Sequence, residues 1–431
     1  MDKLYVYADF DWLNGAEPLG VLTHDMLRHS ETFSFEYDRT WLANHPDIVL
    51  SGDLMTFSGK QHSSPNSGLF GCFSDILPDR WGRTLMAKRE AIRANEEGRS
   101  PRKLHLWDYL TGIDDFSRMG ALRFKENPNG DFIGGSDKLE IPPLSKLNEL
   151  LAANQEIELS EMKNLLPEEK WIVRLLRPGS SLGGARPKAN VLDRDGALRI
   201  AKFPKINDVI DMGLWEFFCS KMAEKAGIDV SQVATAKLSN RHHTFLSTRF
   251  DRTPNGKRRH FASAMALLGL TDGAGADTGH GYLDMVDFIV SSCINVQQNL
   301  EQLYRRAAYN ICIGNADDHS RNHGFLLTPN GWTLAPAYDI NPSFAQSQAL
   351  MVSKDSNLAD LNLLFDAHED YLLDKDTATS IITSVCETVK NWRSHAYQLG
   401  ISPTQTSCFA NLFDERAVSF RPPAPIYRIH R

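Results

Sequence analysis

Twelve residues constrain this chain more than any others: 314–325, GNADDHSRNHGF. They gather two carboxylates, two histidines and two amides in one short stretch. Ahead of them Leu300, Leu303, Ala307 and Ile311 recur at the spacing of a helix face. Behind them GFLL, the turn PNG and WTLAPAYD read as a β-hairpin, with Asn-Gly supplying the turn. The fold must therefore hold a dense polar loop between a buried helix and a tight hairpin, and loops on such scaffolds are where chemistry concentrates.

Phosphoryl transfer from a nucleotide needs a group that accepts the proton of the attacking hydroxyl, and oxygen ligands for the Mg²⁺ that bridges the phosphates. Asp317 and Asn322 stand five residues apart in D-x-H-x-x-N, the spacing of base and metal-ligating Asn in kinase-like folds, with His319 between them as in atypical and small-molecule kinases. Asp339 follows the hairpin inside APAYDINPS, and a hairpin brings its ends together, so Asp339 can return beside Asn322 to share a metal. Upstream, Lys202 in LRIAKFP shares strand parity with Leu198 and Ile200. A lysine on an apolar strand face is costly unless paired; Glu216, early in LWEFFCSKMAEKAG, is the candidate partner, and kinase folds use such a lysine to hold phosphates. Between two strands, SSLGGARPKANV offers Gly183 and Gly184 for close backbone approach to a phosphate and Lys188 for charge. An ordinary hairpin turn tolerates two glycines as well.

The 431 residues imply two or three packed units, and 42% hydrophobic content supplies more than one core. We expect a strand-rich module over 1–125, opened by Leu4, Val6 and Ala8 alternating with Tyr5 and Tyr7; a nucleotide-binding lobe over 126–252, after the breaker-dense NPNGDFIGGSDKLEIPP; and a helical lobe over 253–431 interrupted by the hairpin. Within the middle lobe we expect strands at WIVRLL (171–176), 190–193, 198–203 and HHTFLSTRF, and a helix over 213–226 capped by Asp211 and stopped by Gly227. This is an α+β order. A helix from near Pro78 carries a basic run, expected to be a solvated face. The formal net charge of −7 argues against a general nucleic-acid or anionic-membrane binder. Six dispersed cysteines without CxxC spacing and a start lacking a signal-peptide pattern point to a soluble cytoplasmic protein.

GGARPK, AKFP, WEFFCSKMAEKAGI, STRFDR, GNADDHSRNHGF and LAPAYDI, with FSDILPDRWG near the start, resemble in order and register the HipA-type toxin kinases of bacterial toxin-antitoxin systems. The resemblance implies a two-lobed, atypical kinase-like fold with a mixed α/β N-terminal domain, an all-helical C-terminal domain and ATP bound between them. It implies a serine/threonine protein kinase in which Asp317 is the base, Asn322 and Asp339 bind Mg²⁺, and Lys202 contacts phosphates. Gly183, Gly184, Ala185, Arg186 and Lys188 then match the phosphate loop, Thr248, Arg249 and Phe250 fall at the adenine hinge, and His319 and Tyr338 join the nucleotide site. Thr248 stands where many members carry an acidic residue, which shifts the adenine contact toward backbone groups. Ser181, or Ser180 beside it, matches the autophosphorylated serine. A helix-turn-helix antitoxin, operator DNA reached mainly through that antitoxin, and an aminoacyl-tRNA synthetase as protein substrate are the implied partners.

Three other readings compete. A small-molecule phosphotransferase shares D-x-H-x-x-N but leaves the N-terminal module and LPDRWG unexplained. A metal-dependent hydrolase using Asp317, Asp318, His319 and His323 lacks a further histidine cluster to complete its shell. A non-catalytic scaffold bound to the antitoxin has to explain why Lys202, Glu216, Asp317, Asn322 and Asp339 are all chemically competent.

Overall fold

The computed structural model describes residues 2–27, 30–65, 68–134, 141–176, 184 and 186–421. The expected phosphate-loop residues Ser180, Ser181, Gly183 and Ala185 lie outside them. The chain divides into two compact units: 1–217 with 231–273 and 323–335, and 218–230 with 274–322 and 336–431.

In the first unit, β1 (Asp2–Ala8), β2 (Glu17–Leu27), β3 (Ser30–Tyr37), β4 (Lys60–His62) and β5 (Leu122–Lys125) form an antiparallel sheet in the order β4-β3-β2-β1-β5. The alternation at the start is realised: Leu4, Val6 and Ala8 are buried and Tyr5 and Tyr7 half-buried. A second antiparallel sheet, in the order β6-β7-β9-β8, comprises β6 (Lys188–Leu192), β7 (Leu198–Lys202), β8 (Val233–Ala236) and β9 (Thr244–Thr248).

Three helices cover one face of this second sheet. They are α1 (Arg80–Glu96), α2 (Leu147–Met162) and α3 (Glu169–Leu176), and Trp81, Leu85, Leu150, Ile157, Ile172 and Leu175 pack with Ala189, Val191, Ala201, Phe203 and Leu246 in one core. Lys202, at the end of β7, carries the parity opposite to Ala201 and Phe203, so the helices leave its face to other groups. WIVRLL, expected as a strand, is the body of α3. Ile172 and Leu175 are buried three apart and Trp171 and Leu176 only partly, a helical period that six residues are too short to announce.

The hairpin forms as expected from β11 (Gly324–Thr328) and β12 (Gly331–Leu334). It gains a third strand, β10 (Phe261–Ser263), which pairs Phe261 with Leu326 and Ser263 with Gly324. A Cβ at Gly324 would collide with the Phe261 ring, so glycine is what lets β10 dock there.

The helix expected over 213–226 is α4 (Met212–Lys225); Asp211 accepts from the Leu214 N–H (3.1 Å), and Gly227 follows at φ +82°. The second unit begins with its later turns and contains α5 (Tyr282–Ser292), α6 (Val296–Ile313) and α7 (Lys375–Lys390), with α6 packed against both others. Leu300, Leu303, Ala307 and Ile311 of α6 are buried. Gly314 ends α6 at φ +70°, where a side chain would strike the Ser343 carbonyl oxygen. Among the described residues no helix is long and apolar enough to cross a membrane.

Candidate active site

In the first unit two lysines face one another across a strand pair: Lys188 of β6 is the register partner of Lys202 of β7. Like charges directly opposite destabilise a sheet, and here each has its own acid. Lys202 Nζ donates to Glu216 Oε1 at 2.6 Å, with both side chains largely buried (14% and 5% exposed), and lies 5.7 Å from the Phe245 ring centre. Asp211 starts α4 so that Glu216 arrives in its second turn facing β7, and the Asp211 carboxylate is held in turn by His243 Nδ1 at 2.6 Å.

Lys188 Nζ donates to Asp79 Oδ2 at 2.8 Å, each side chain only 2% exposed. Asp79 also caps α1 by accepting from the Gly82 N–H (2.7 Å), and burial lifts its carboxyl above the usual range against the pull of Lys188. Gly184, at φ +86°, comes so near this ammonium that an added Cβ would lie 3.1 Å from Nζ.

The remaining expected residues of this unit meet the protein itself. Arg186 makes a two-pronged pair with Asp208 (2.8 and 2.9 Å). Thr248 sits at the end of β9, its N–H bonded to the Gln232 carbonyl. Phe250 packs on Phe261 with ring centres 5.5 Å apart. Arg249 is buried in a network with Asp251 (2.8 and 2.6 Å), the Ser117 carbonyl (2.7 Å) and Asn190 Oδ1 (2.9 Å).

In the second unit the loop after α6 is stitched to the chain that leaves the hairpin. Tyr338 Oη donates to the Arg321 carbonyl (2.7 Å), the Ser343 N–H to the Gly314 carbonyl (2.8 Å), and the Ala349 N–H to the Ala316 carbonyl (3.1 Å). Asn322 Nδ2 donates to the Asp317 carbonyl (2.8 Å) and its N–H to the His319 carbonyl (2.8 Å), which closes the loop into a tight turn. The Asp317 side chain is 88% exposed, with His319 Nε2 4.0 Å from its Oδ1. Asp339 takes a left-handed φ of +57°, and its Oδ1 accepts from Asn341 Nδ2 (3.0 Å).

The two residues expected to bind a metal can be judged by the atoms they offer. Asn322 spends its Nδ2 on the Asp317 carbonyl, so the two expected ligands would offer an amide oxygen and a carboxylate; Mg²⁺ in phosphoryl-transfer sites takes one or two such protein oxygens and the rest from phosphates and water. No group of three or more His, Cys, Asp or Glu with metal-holding geometry occurs among the described residues.

Sequence reasoning left Asp318 and Asp79 without a role under the kinase-like reading. Asp318 is buried and accepts from Tyr282 Oη and Asn310 Nδ2. A second acid beside Asp317 was the available signal for it. Asp79 lies 109 residues from Lys188, and no local pattern pairs them.

Two family models match this chain: the HipA N-terminal domain over residues 12–100 and the HipA-like C-terminal domain over residues 180–393. The serine/threonine-protein kinase toxin HipA of Shewanella oneidensis is 26% identical over 217 residues, 44% of this chain and 48% of that protein, so the match spans about half its length. The Sinorhizobium fredii protein Y4mE, named as a kinase, is 24% identical over 94% of this chain and 96% of its own. Among solved structures, Shewanella oneidensis HipA in complex with HipB and operator DNA superposes with a TM-score of 0.68 at 19% identity, covering 96% of both chains. That likeness establishes the fold: mixed helix and sheet, as in HipA.

Proposed function

The chain belongs to the HipA family of toxin kinases, and from that premise we propose that it is an ATP- and Mg²⁺-dependent serine/threonine protein kinase, the toxin of a toxin-antitoxin pair in the cytoplasm. The observation that carries this reading is the stitching of two segments: the Tyr338 bond to Arg321 ties the Asp339 segment to the loop that bears Asp317 and Asn322.

Each residue has a task that its surroundings support. Asp317, exposed and on a closed turn, orients the acceptor hydroxyl and takes its proton. Asn322 and Asp339 hold Mg²⁺, which when bound neutralises charge building on the transferred phosphoryl group. Lys202, fixed by Glu216, binds the nucleotide phosphates; the ion pair holds the ammonium in place in a largely buried position. Gly184 brings its backbone close to the Lys188 ammonium, where an added Cβ would lie 3.1 Å from Nζ. Ser181, or Ser180, is the proposed self-modification site: a phosphate of charge about −1.5 to −2 in a loop that cradles ATP would repel the nucleotide and switch the kinase off.

For partners we propose a DNA-binding antitoxin of the helix-turn-helix class, with operator contacts supplied mainly by that partner, as the chain's net charge of −7 favours. The proposed acceptor is a translation protein such as an aminoacyl-tRNA synthetase.

Incubation of the purified chain with labelled Mg-ATP and a bacterial lysate, followed by mass spectrometry of labelled protein, tests the reading. The parent should label a discrete protein and Asp317→Ala should lose at least a hundredfold in rate. A parent that transfers no phosphate, or an Asp317→Ala variant as active as the parent, would refute it.

A further inference from the structure

Two adjacent carboxylates on one loop live in opposite surroundings. Asp317 projects outward, whereas Asp318 is buried beneath the same turn. Its Oδ2 accepts from Tyr282 Oη, in the first turn of α5, and from Asn310 Nδ2 at 2.7 Å, in the last turn of α6. Asn310 completes the knot: its Oδ1 accepts from Asn315 Nδ2 (3.1 Å) and its carbonyl from the Asn315 N–H (2.9 Å). Tyr282 is itself fixed by its N–H bond to the Met351 carbonyl (3.0 Å).

A buried carboxylate with two donors cannot leave without stranding a phenol and an amide in the interior. Its place is thereby fixed, and so is the peptide joining it to Asp317. We propose that Asp318 is the positioning residue of the phosphoryl-transfer site: anchored by Tyr282 and Asn310, it sets the direction in which Asp317 meets the acceptor hydroxyl. Asp318 touches neither nucleotide nor acceptor. It acts through the 317–318 peptide. The inference rests on the kinase reading above and adds to it why an acid, and not a small residue, follows the base.

The test compares Asp318→Ala, Asp318→Asn and Tyr282→Phe with the parent, using labelled Mg-ATP and lysate protein as acceptor, with rates divided by the number of ATP-binding sites counted in the same preparation. A role in folding alone would lower the site count and leave the rate per site unchanged. A positioning role should lower kcat per site with KM for ATP within twofold, by about a hundredfold in Asp318→Ala and about tenfold in Tyr282→Phe. Asp318→Asn keeps an oxygen acceptor in place and should recover most of the loss. Where Asp318→Ala yields no folded protein, Tyr282→Phe decides. Rates per site within twofold of the parent in Tyr282→Phe and in any folded Asp318→Ala would overturn the inference and leave the kinase reading standing. A parent without Asp317-dependent transfer would overturn both.

Discussion

Lys188 is the residue whose replacement most sharply separates a structural from a phosphate-binding role. Its ammonium lies 2.8 Å from Asp79 with both side chains 2% exposed. At that distance the gross attraction is about 6 kcal/mol for an effective dielectric constant near 20. Much of it is offset by the desolvation of both ions. Removing one partner, however, strands the other, and Lys188→Met should destabilise by about 3–5 kcal/mol. Asp79 must still cap α1 through the Gly82 N–H, so the informative second change is Asp79→Asn, which keeps an oxygen for that bond and carries no charge. The pair Lys188→Met with Asp79→Asn should regain most of the lost stability, helped by relief of the repulsion between Lys188 and its register partner Lys202. In urea, with a slope of about 3 kcal/mol per M, the single variant should melt about 1–1.7 M earlier, read by circular dichroism and tryptophan fluorescence at pH 7. A single variant with the parental midpoint but at least tenfold weaker ATP binding would show that the ammonium serves phosphate and that the burial argument is wrong.

Two further outcomes follow from buried charge in the first unit. Burial pushes the Asp251 carboxyl up, but Arg249 and Arg252 and the Gly120 N–H outweigh it and hold the group well below the usual range; Asp251→Ala should cost about 3–5 kcal/mol in urea titrations at pH 6–8, a deficit that shrinks as pH falls below the ordinary carboxylate value and the native acid itself protonates, and an unchanged midpoint at pH 7 would contradict this. Burial lowers His260, stacked on Phe10 with ring centres 5.2 Å apart, to about 3, so below about pH 6.5 the unfolded chain binds a proton the native one refuses, and stability should drop by about 1.4 kcal/mol per pH unit. His260→Phe should flatten that slope between pH 6.5 and 5, and parallel slopes for parent and variant would refute the assignment.

The sequence carried the local periods and the polar loop well, and long-range pairings poorly. Leu4, Val6 and Ala8 alternate because one face of β1 is buried, and Asp211 and Gly227 bracket α4 because each satisfies a helix end. The Asn-Gly hairpin could be placed from two residues. Lys202 with Glu216 was legible because strand parity exposed the cost of an unpaired lysine. WIVRLL misled because an apolar run of six fits either period. β10 was missed since its three residues acquire strand geometry only by pairing with β11, across some sixty intervening positions. Arg186 was expected in the phosphate loop, yet its carboxylate partner Asp208 lies in a segment whose proximity only the fold creates.

The left-handed backbone at Asp339 has a practical consequence for anyone choosing a variant to test its proposed role as a metal ligand. With φ at +57°, the position tolerates aspartate and asparagine, whose short polar side chains suit that region, and penalises other side chains with a Cβ. Asp339→Asn therefore changes the charge offered to a cation while leaving the chain's path intact. Asp339→Ala confounds lost ligation with a shifted turn, so a silent alanine variant would say little about chemistry, whereas a silent asparagine variant would speak to it directly.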